Sequence, residues 1–250
     1  MGPTEGDQSC LVSKLRHFVE LSEQDNELLI RFEEEQREYK KRDLVRAEGD
    51  PIEDLFVVKK GWFIGYTTLP NGKRQVHRLY LPGDLIGTHE VVCERATYDV
   101  AATSDGILCP FQKIGLRHVF SNSPRLTALL YSIEALEQVA QDDRFRAVAR
   151  MDATGRLSYL LLQIVSRLRL TEDNMHDRLK LLINQELIGD MLGLTGIHVN
   201  RTLKYMKEIG LIDRTGSVIT LLQEDRMKEL ASFDDRHYKI DTSWFPPLIE

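Results

Sequence analysis

The residues with the clearest chemistry lie between positions 184 and 207. Arg201, Lys204 and Lys207 are cations in a stretch, 195–207, that contains no acidic residue. His198, Asn200 and Thr202 stand among them. An arginine fork matches guanine O6 and N7, and a lysine supplies a point charge for phosphate. The pattern points to double-stranded DNA: Arg201 on a base, Thr195 and Lys204 on phosphate, His198 and Asn200 on either. No Ser-His-Asp set, metal-spaced ligands, phosphate-cradling loop or paired catalytic carboxylates can be assembled. Asp142 and Asp143 are adjacent on an expected helix, where neighbours face different directions. The expectation is a protein that is not an enzyme.

The elements that must position these side chains are also legible. Asn184 caps a first helix with apolar positions Leu187, Ile188, Met191 and Leu192. Gly193 follows at the place of a left-handed C-terminal cap. Leu194 then enters the angle between two helices. Thr195 caps the second, whose inward face is Val199, Leu203 and Met206, so that His198, Arg201, Thr202 and Lys204 project away. A short Gly-containing turn between two helices is the helix-turn-helix plan. Leu211-Ile212, a turn at Thr215-Gly216-Ser217 and the run 218–222 supply a hairpin wing.

The chain has 250 residues, 42% of them hydrophobic and 29% charged, with 33 Lys+Arg against 39 Asp+Glu. That is enough for one or two domains with a real core. Its longest uncharged stretch is 61–72, against the roughly 20 apolar residues of a spanning helix. Glu5 and Asp7 stand where a signal peptide needs basic and then apolar residues. A cytoplasmic protein with no membrane partner is expected. Cys10, Cys93 and Cys109 form no Cys-x-x-Cys pair, so neither a disulfide framework nor a structural zinc site is expected. The net charge of −6 argues mildly against nucleic acid unless one face is locally positive.

Apolar residues at three- and four-residue steps predict a helix over 14–42. Gly49, Gly61, Gly72 and Gly83 then punctuate short apolar or alternating runs, the mark of a β-sandwich or barrel. Gly49 and Gly61 bracket a first hairpin, Pro70-Asn71-Gly72 turns another, and 98–103 pairs with 107–111 through Asp105-Gly106. After Pro124, Leu126, Leu129, Ile133, Leu136 and Ala140 follow a 3-4-3-4 spacing. This is either a coiled-coil dimer seam or the buried face of an ordinary amphipathic helix. Asp152-Ala153-Thr154-Gly155-Arg156 interrupts the run, a helix over 157–170 and a polar loop over 171–177 follow, and the tail from Phe233 has no clear period.

Together these segments resemble the cyclic-AMP receptor protein/FNR family of bacterial transcription regulators over roughly residues 15–230. The resemblance rests on Gly83-Asp84-Leu85-Ile86-Gly87, on Asp152-x-Thr154-Gly155-Arg156, and on Ile188-Gly189-x-x-Leu192-Gly193-Leu194-Thr195 with Val199-x-Arg201-x-Leu203. It implies an α+β chain: an N-terminal cyclic-nucleotide-binding-like β-roll, a long dimerisation helix and a C-terminal winged helix-turn-helix. The corresponding boundaries are 1–122, 123–151 and 152–232, with a tail over 233–250. It further implies a homodimer on an inverted-repeat operator, with RNA polymerase as a partner and Leu126, Leu129, Ile133, Leu136 and Ala140 at the dimer seam.

The chain departs from the family where a ligand would sit. Thr88 replaces the acidic residue that holds a ribose, and Ala96-Thr97 replaces the Arg-Ser pair that grips a cyclic phosphate, with Arg95 one residue away. Cyclic AMP is therefore not expected, the effector is left open, and no cofactor is named. Gly196-Ile197 stands where an Arg-Glu or Val-Glu pair reads the common half-site, which predicts an altered half-site keeping one Arg-read G·C pair. The alternative is a β-roll sensor or adaptor that acts through protein contacts, with a helix-turn-helix that no longer reads DNA.

Overall fold

Two serines divide what the apolar spacing predicts as one helix over 14–42. α1 (Cys10–Arg16) begins at Ser9, whose hydroxyl accepts from Val12 N. α2 (Glu23–Ile30) begins at a capping box in which Ser22 and Asp25 each accept the other's backbone N–H. A 3-10 turn (Arg31–Glu33) then leads into a strand, β1 (Arg37–Tyr39). Apolar periodicity registers the buried faces but not the caps that break the helix between them. The computed structural model describes residues 9–171, 177–236 and 239–248. The expected loop over 171–177 falls almost wholly outside them, as do Glu5 and Asp7.

β2 (Leu44–Arg46), β3 (Asp54–Lys60), β4 (Phe63–Thr68), β5 (Arg74–Tyr80), β6 (Leu85–Ile86), β7 (Asp99–Ala102) and β8 (Gly106–Gln112) follow. With β1 they form two four-stranded sheets, ordered β1-β8-β3-β6 and β2-β7-β4-β5. The hairpin at Pro70-Asn71-Gly72 joins β4 to β5, with Gly72 at φ +78°. Two expected pairings are corrected. Between Gly49 and Gly61 lies one strand, β3, and β7 and β8 belong to different sheets. The reason is a corner at which two segments, β3 to β4 and β7 to β8, cross from sheet to sheet. A Cβ on Gly61 would lie 2.6 Å from Asp105 O, and one on Gly106 would lie 2.5 Å from Lys60 O. Only glycines let the two crossings run side by side.

β3 is buried on both faces, which is why it reads as an unbroken apolar run. Phe56 and Val58 join Phe63, Tyr80, Ile86, Tyr98 and Val100 between the sheets. Leu55 and Val57 turn the other way, onto Leu11, Leu15, Leu29 and Phe32.

The remaining elements are α3 (Gly115–Asn122), α4 (Pro124–Arg150), α5 (Ala153–Leu168), β9 (Arg178–Lys180), α6 (Gln185–Leu192), α7 (Gly196–Glu208), β10 (Ile212–Thr215), β11 (Val218–Leu221) and α8 (Glu224–Ala231). Asp152 caps α5, its Oδ1 accepting from Gly155 N at 2.8 Å. The chain divides into two compact units, one of 1–65, 78–135 and 239–250, the other of 66–77 and 136–238. Among the described residues no helix is long and apolar enough to cross a membrane.

Much of the expected dimer seam on α4 is covered within the chain itself. Leu126 and Leu129 are buried in the chain's own core, against which Ile133 packs. Ala140 is buried as well, and its carbonyl accepts from Tyr159 Oη at 3.1 Å. Leu136 is half-buried. The 3-4 spacing therefore marks a face packed within the protomer. The large apolar side chains that α4 leaves outside are Tyr131 (69% exposed), Val139 and Phe145 (76% exposed).

The tail without a period also has a place. Phe245 is buried in the same core as Leu126 and Leu129, and Arg125 Nη1 donates to Pro246 O at 2.8 Å. The Arg125 guanidinium lies 6.0 Å from the Phe245 ring centroid. Phe245→Ala is expected to cost about 3–5 kcal/mol, the usual range for a buried phenylalanine. The urea midpoint measures it, and a midpoint equal to wild type would show that the tail adds nothing to the core.

Candidate nucleic-acid interface

α6 starts where Asn184 Oδ1 accepts from Leu187 N at 2.9 Å and stops at Gly193, which takes φ +66°. The turn folds back tightly, Leu194 N donating to Gly189 O at 3.0 Å. A Cβ on Gly189 would stand 2.5 Å from Leu194 O, so a glycine inside a helix, ordinarily a weakness, is required here. Thr195 caps α7 by accepting from His198 N at 3.2 Å. Val199, Leu203 and Met206 are buried beneath it.

Their burial turns the opposite face outward. Thr195, Ile197, His198, Asn200, Arg201 and Lys204 are exposed, Ile197 to 78%, and Gly196 is half-buried. Tyr205, unremarked in the sequence, is exposed beside them. Thr202 is a correction: it is buried, and its hydroxyl donates to His198 O at 2.9 Å in its own helix. A threonine so placed supports the helix backbone and presents nothing outward. An open groove of about 780 Å³ runs along this face, lined in part by Thr154, Arg156, His198, Arg201, Lys204 and Tyr205. Arg156 donates to Leu192 O at 3.0 Å, a cation at the C-terminal end of α6.

The wing is a three-stranded sheet, ordered β10-β11-β9. β9 was not anticipated, although the alternation Arg178-Leu179-Lys180-Leu181 is the signal for a half-buried strand. It leaves Arg178 and Lys180 exposed and buries Leu179 against β11, opposite Ile219. The wing is fastened to α7 by polar contacts. Lys207 Nζ lies 2.8 Å from Asp213 Oδ1 and donates to Arg214 O at 3.0 Å. The hydrogen bond from Lys207 to the Asp213 carboxylate holds that carboxyl below the usual carboxylate range. Asn200 Oδ1 accepts from both Gln185 Nε2 and Arg214 Nη1, each at 3.2 Å. Asn200 thus sets the wing arginine beside the recognition face. Arg169 Nη2 lies 2.8 Å from Glu224 Oε2 and, against the opposing effect of burial, draws its carboxyl down to about 2.

The residues expected to face an effector are dispersed. Arg95 is exposed, and its Nη1 donates to Gly49 O at 2.7 Å. Ala96 is buried. Thr88 Oγ1 donates to Glu134 Oε1, and Thr97 donates from both its N and its Oγ1 to Glu90 Oε1, each at 2.6 Å. Arg46 reaches this part of the roll and pairs with Glu90 in the interior. Tyr98 Oη lies 2.6 Å from both Tyr80 Oη and His89 Nε2. Burial pushes both phenols far above their ordinary range.

Residues 36–123 match the cyclic nucleotide-binding domain, and residues 155–230 match the Crp-like helix-turn-helix domain. The transcriptional activator protein FnrL of Cereibacter sphaeroides is 28% identical over 212 residues, 83% of this chain and 85% of that protein. The fumarate and nitrate reduction regulatory protein of Escherichia coli is 22% identical over 224 residues, 90% of this chain and 89% of that one. Among solved structures, FixK2 from Bradyrhizobium japonicum superposes with a TM-score of 0.70 at 24% identity, covering 78% of this chain and 96% of the other. A CooA variant from Carboxydothermus hydrogenoformans gives 0.65 at 20% identity, covering 90% and 96%. With a cyclic-nucleotide-binding roll followed by a Crp-like helix-turn-helix, the chain belongs to the CRP/FNR family of DNA-binding transcription regulators.

Proposed function

We propose that the protein acts in the cytoplasm as a homodimer that reads an inverted repeat, with α7 in the major groove. The observation that carries this reading is the two-sided build of α7: one face fully buried, the other offering Arg201, Lys204, His198 and Ile197. Arg201 takes a guanine bidentately, and the exposed Ile197 supplies apolar contact to a thymine methyl. Thr195 and Lys204 hold phosphate, and Arg214 approaches the backbone from the wing. Asn200, expected to contact base or phosphate, acts mainly through Arg214.

For the dimer we propose the outer stripe of α4. Tyr131, Ala135, Gln138, Asp142, Phe145 and Ala149 are all exposed and spaced 4-3-4-3-4, a heptad register. Apolar side chains as large and as open as Tyr131 and Phe145 on one helix face mark an association surface.

Selection from random duplex DNA tests the whole reading. An inverted repeat is expected, with half-sites about 34–36 Å apart. No enrichment, with or without cyclic AMP, would favour the protein-binding alternative. On the selected site, Arg201→Ala is expected to cost about 1–3 kcal/mol and to relax preference at one G·C pair. Lys204→Ala should weaken all sequences alike and reduce the salt slope by about one. An unchanged slope would remove Lys204 from the phosphate contacts. Tyr131→Asp combined with Phe145→Asp should sediment as a monomer and bind the full operator poorly, whereas a persistent dimer would place the interface elsewhere.

A further inference from the structure

The roll matches a cyclic nucleotide-binding domain, so its interior has to be tested as a receptor for an anionic nucleotide. A cyclic phosphate needs a cation and hydrogen-bond donors, and charge-assisted hydrogen bonds of that kind are the strong ones. This chain has such a set of donors, in Arg46 and Thr97. Arg46 is 7% exposed, and Thr97 presents its backbone N–H and its hydroxyl to the same point. Thr97 also stands, with Ala96, where the family resemblance puts the phosphate-gripping pair.

The Arg46 cation and both Thr97 donors are already engaged by one carboxylate. Glu90, 2% exposed, lies on the short turn after Gly87. Its Oε2 pairs with Arg46 Nη2, and its Oε1 accepts both donations from Thr97 at 2.6 Å. A phosphate arriving here meets a carboxylate in its place, and like charges repel strongly in a poorly solvated interior. Nearby, Thr88 is hydrogen-bonded to a second carboxylate, Glu134. The adjoining space between the sheets is filled by Tyr80 and Tyr98, the Tyr98 ring lying so near Gly65 that a Cβ there would fall within 2.6 Å of it. The residues present do not fit a cyclic nucleotide.

We infer that the roll carries a built-in ligand: the Glu90 carboxylate is a tethered anion seated in a receptor made by Arg46 and Thr97, and it closes the roll to nucleotides and other anionic effectors. One further feature fits a receptor. Arg46 Nε and Nη1 are buried and make no hydrogen bond among the described residues. The guanidinium therefore has more donors than one carboxylate engages. Freed of Glu90, it suits an oxyanion with more oxygens, such as inorganic phosphate.

The test is thermal unfolding of the full chain, with sodium phosphate or cyclic AMP titrated against sodium chloride at constant ionic strength. Wild type is expected to show no shift with either anion. Glu90→Ala leaves a buried cation unpaired, so it is expected to melt well below wild type. It should then regain much of that loss with phosphate along a saturating curve, as ligand linkage requires. The double variant Glu90→Ala with Arg46→Met should gain nothing from phosphate. A saturable shift of wild type by cyclic AMP or phosphate would overturn the inference. So would a folded Glu90→Ala that phosphate leaves unchanged. Should Glu90→Ala not fold, Glu90→Gln takes its place: it keeps an oxygen for Thr97 but turns an amide donor toward Arg46. It is expected to melt below wild type, and a Glu90→Gln variant as stable as wild type would show that no anion is needed there.

Discussion

The approach of the Leu194 carbonyl to the backbone of Gly189 is the constraint on which the DNA-binding unit depends. α6 and α7 take their mutual angle because no Cβ stands between them at that point. Gly193 turns the chain with a positive φ, and Thr195 restarts the helix within two residues. With Val199, Leu203 and Met206 locked in the core, the helical repeat leaves Ile197, His198, Arg201 and Lys204 no choice of direction. A shift at Gly189 would move all of them together, because they share one rigid helix. Local backbone chemistry at one glycine thus aims a recognition surface more than a helical turn away.

Charge in this unit divides into cations that position and cations that remain available. Lys207 is engaged by Asp213 and the wing backbone, and Arg214 by Asn200. Arg156 is engaged by carbonyls at the ends of α4 and α6. Among the described residues Lys204 pairs with Glu208, 3.8 Å away on an exposed surface, and such a pair contributes little and exchanges readily for phosphate. The chain's net charge of −6 is therefore no obstacle to DNA binding. A polyanion responds to the local field of the face it meets rather than to the sum over the chain.

The helix-turn-helix was legible because every instruction for it is local: two caps, a glycine stop and three buried positions fall within about two dozen consecutive residues. Strand pairing was not, because the corner at Gly61 and Gly106 joins residues distant in sequence, and nothing in either turn announces the other. On α4 the period is legible but the surface that covers it is not. Leu126 and Leu129 have the spacing of a seam, yet a spacing does not say whether the covering surface comes from the same chain. Arg46 escaped notice for a similar reason. A lone arginine in a short strand reads as an edge charge until Glu90, 44 residues on, is found against it. The tail lacks any period because its anchors are scattered along it, Phe233 against Tyr159, Arg236 on Asp143, and Ile240 and Phe245 at the core.

A ligand moves a regulator between states only through different affinities for those states. A roll whose receptor holds its own carboxylate gives an anionic effector nothing to bind in either state, so its concentration cannot set the equilibrium. With the outer stripe of α4 as the proposed dimer surface, what can still vary is the amount of protein and the extent to which that stripe finds its partner, since operator binding by two half-sites rises with the dimer fraction. In such a protein the β-roll serves the regulator as a scaffold that carries α4, and sensitivity to circumstance resides in association.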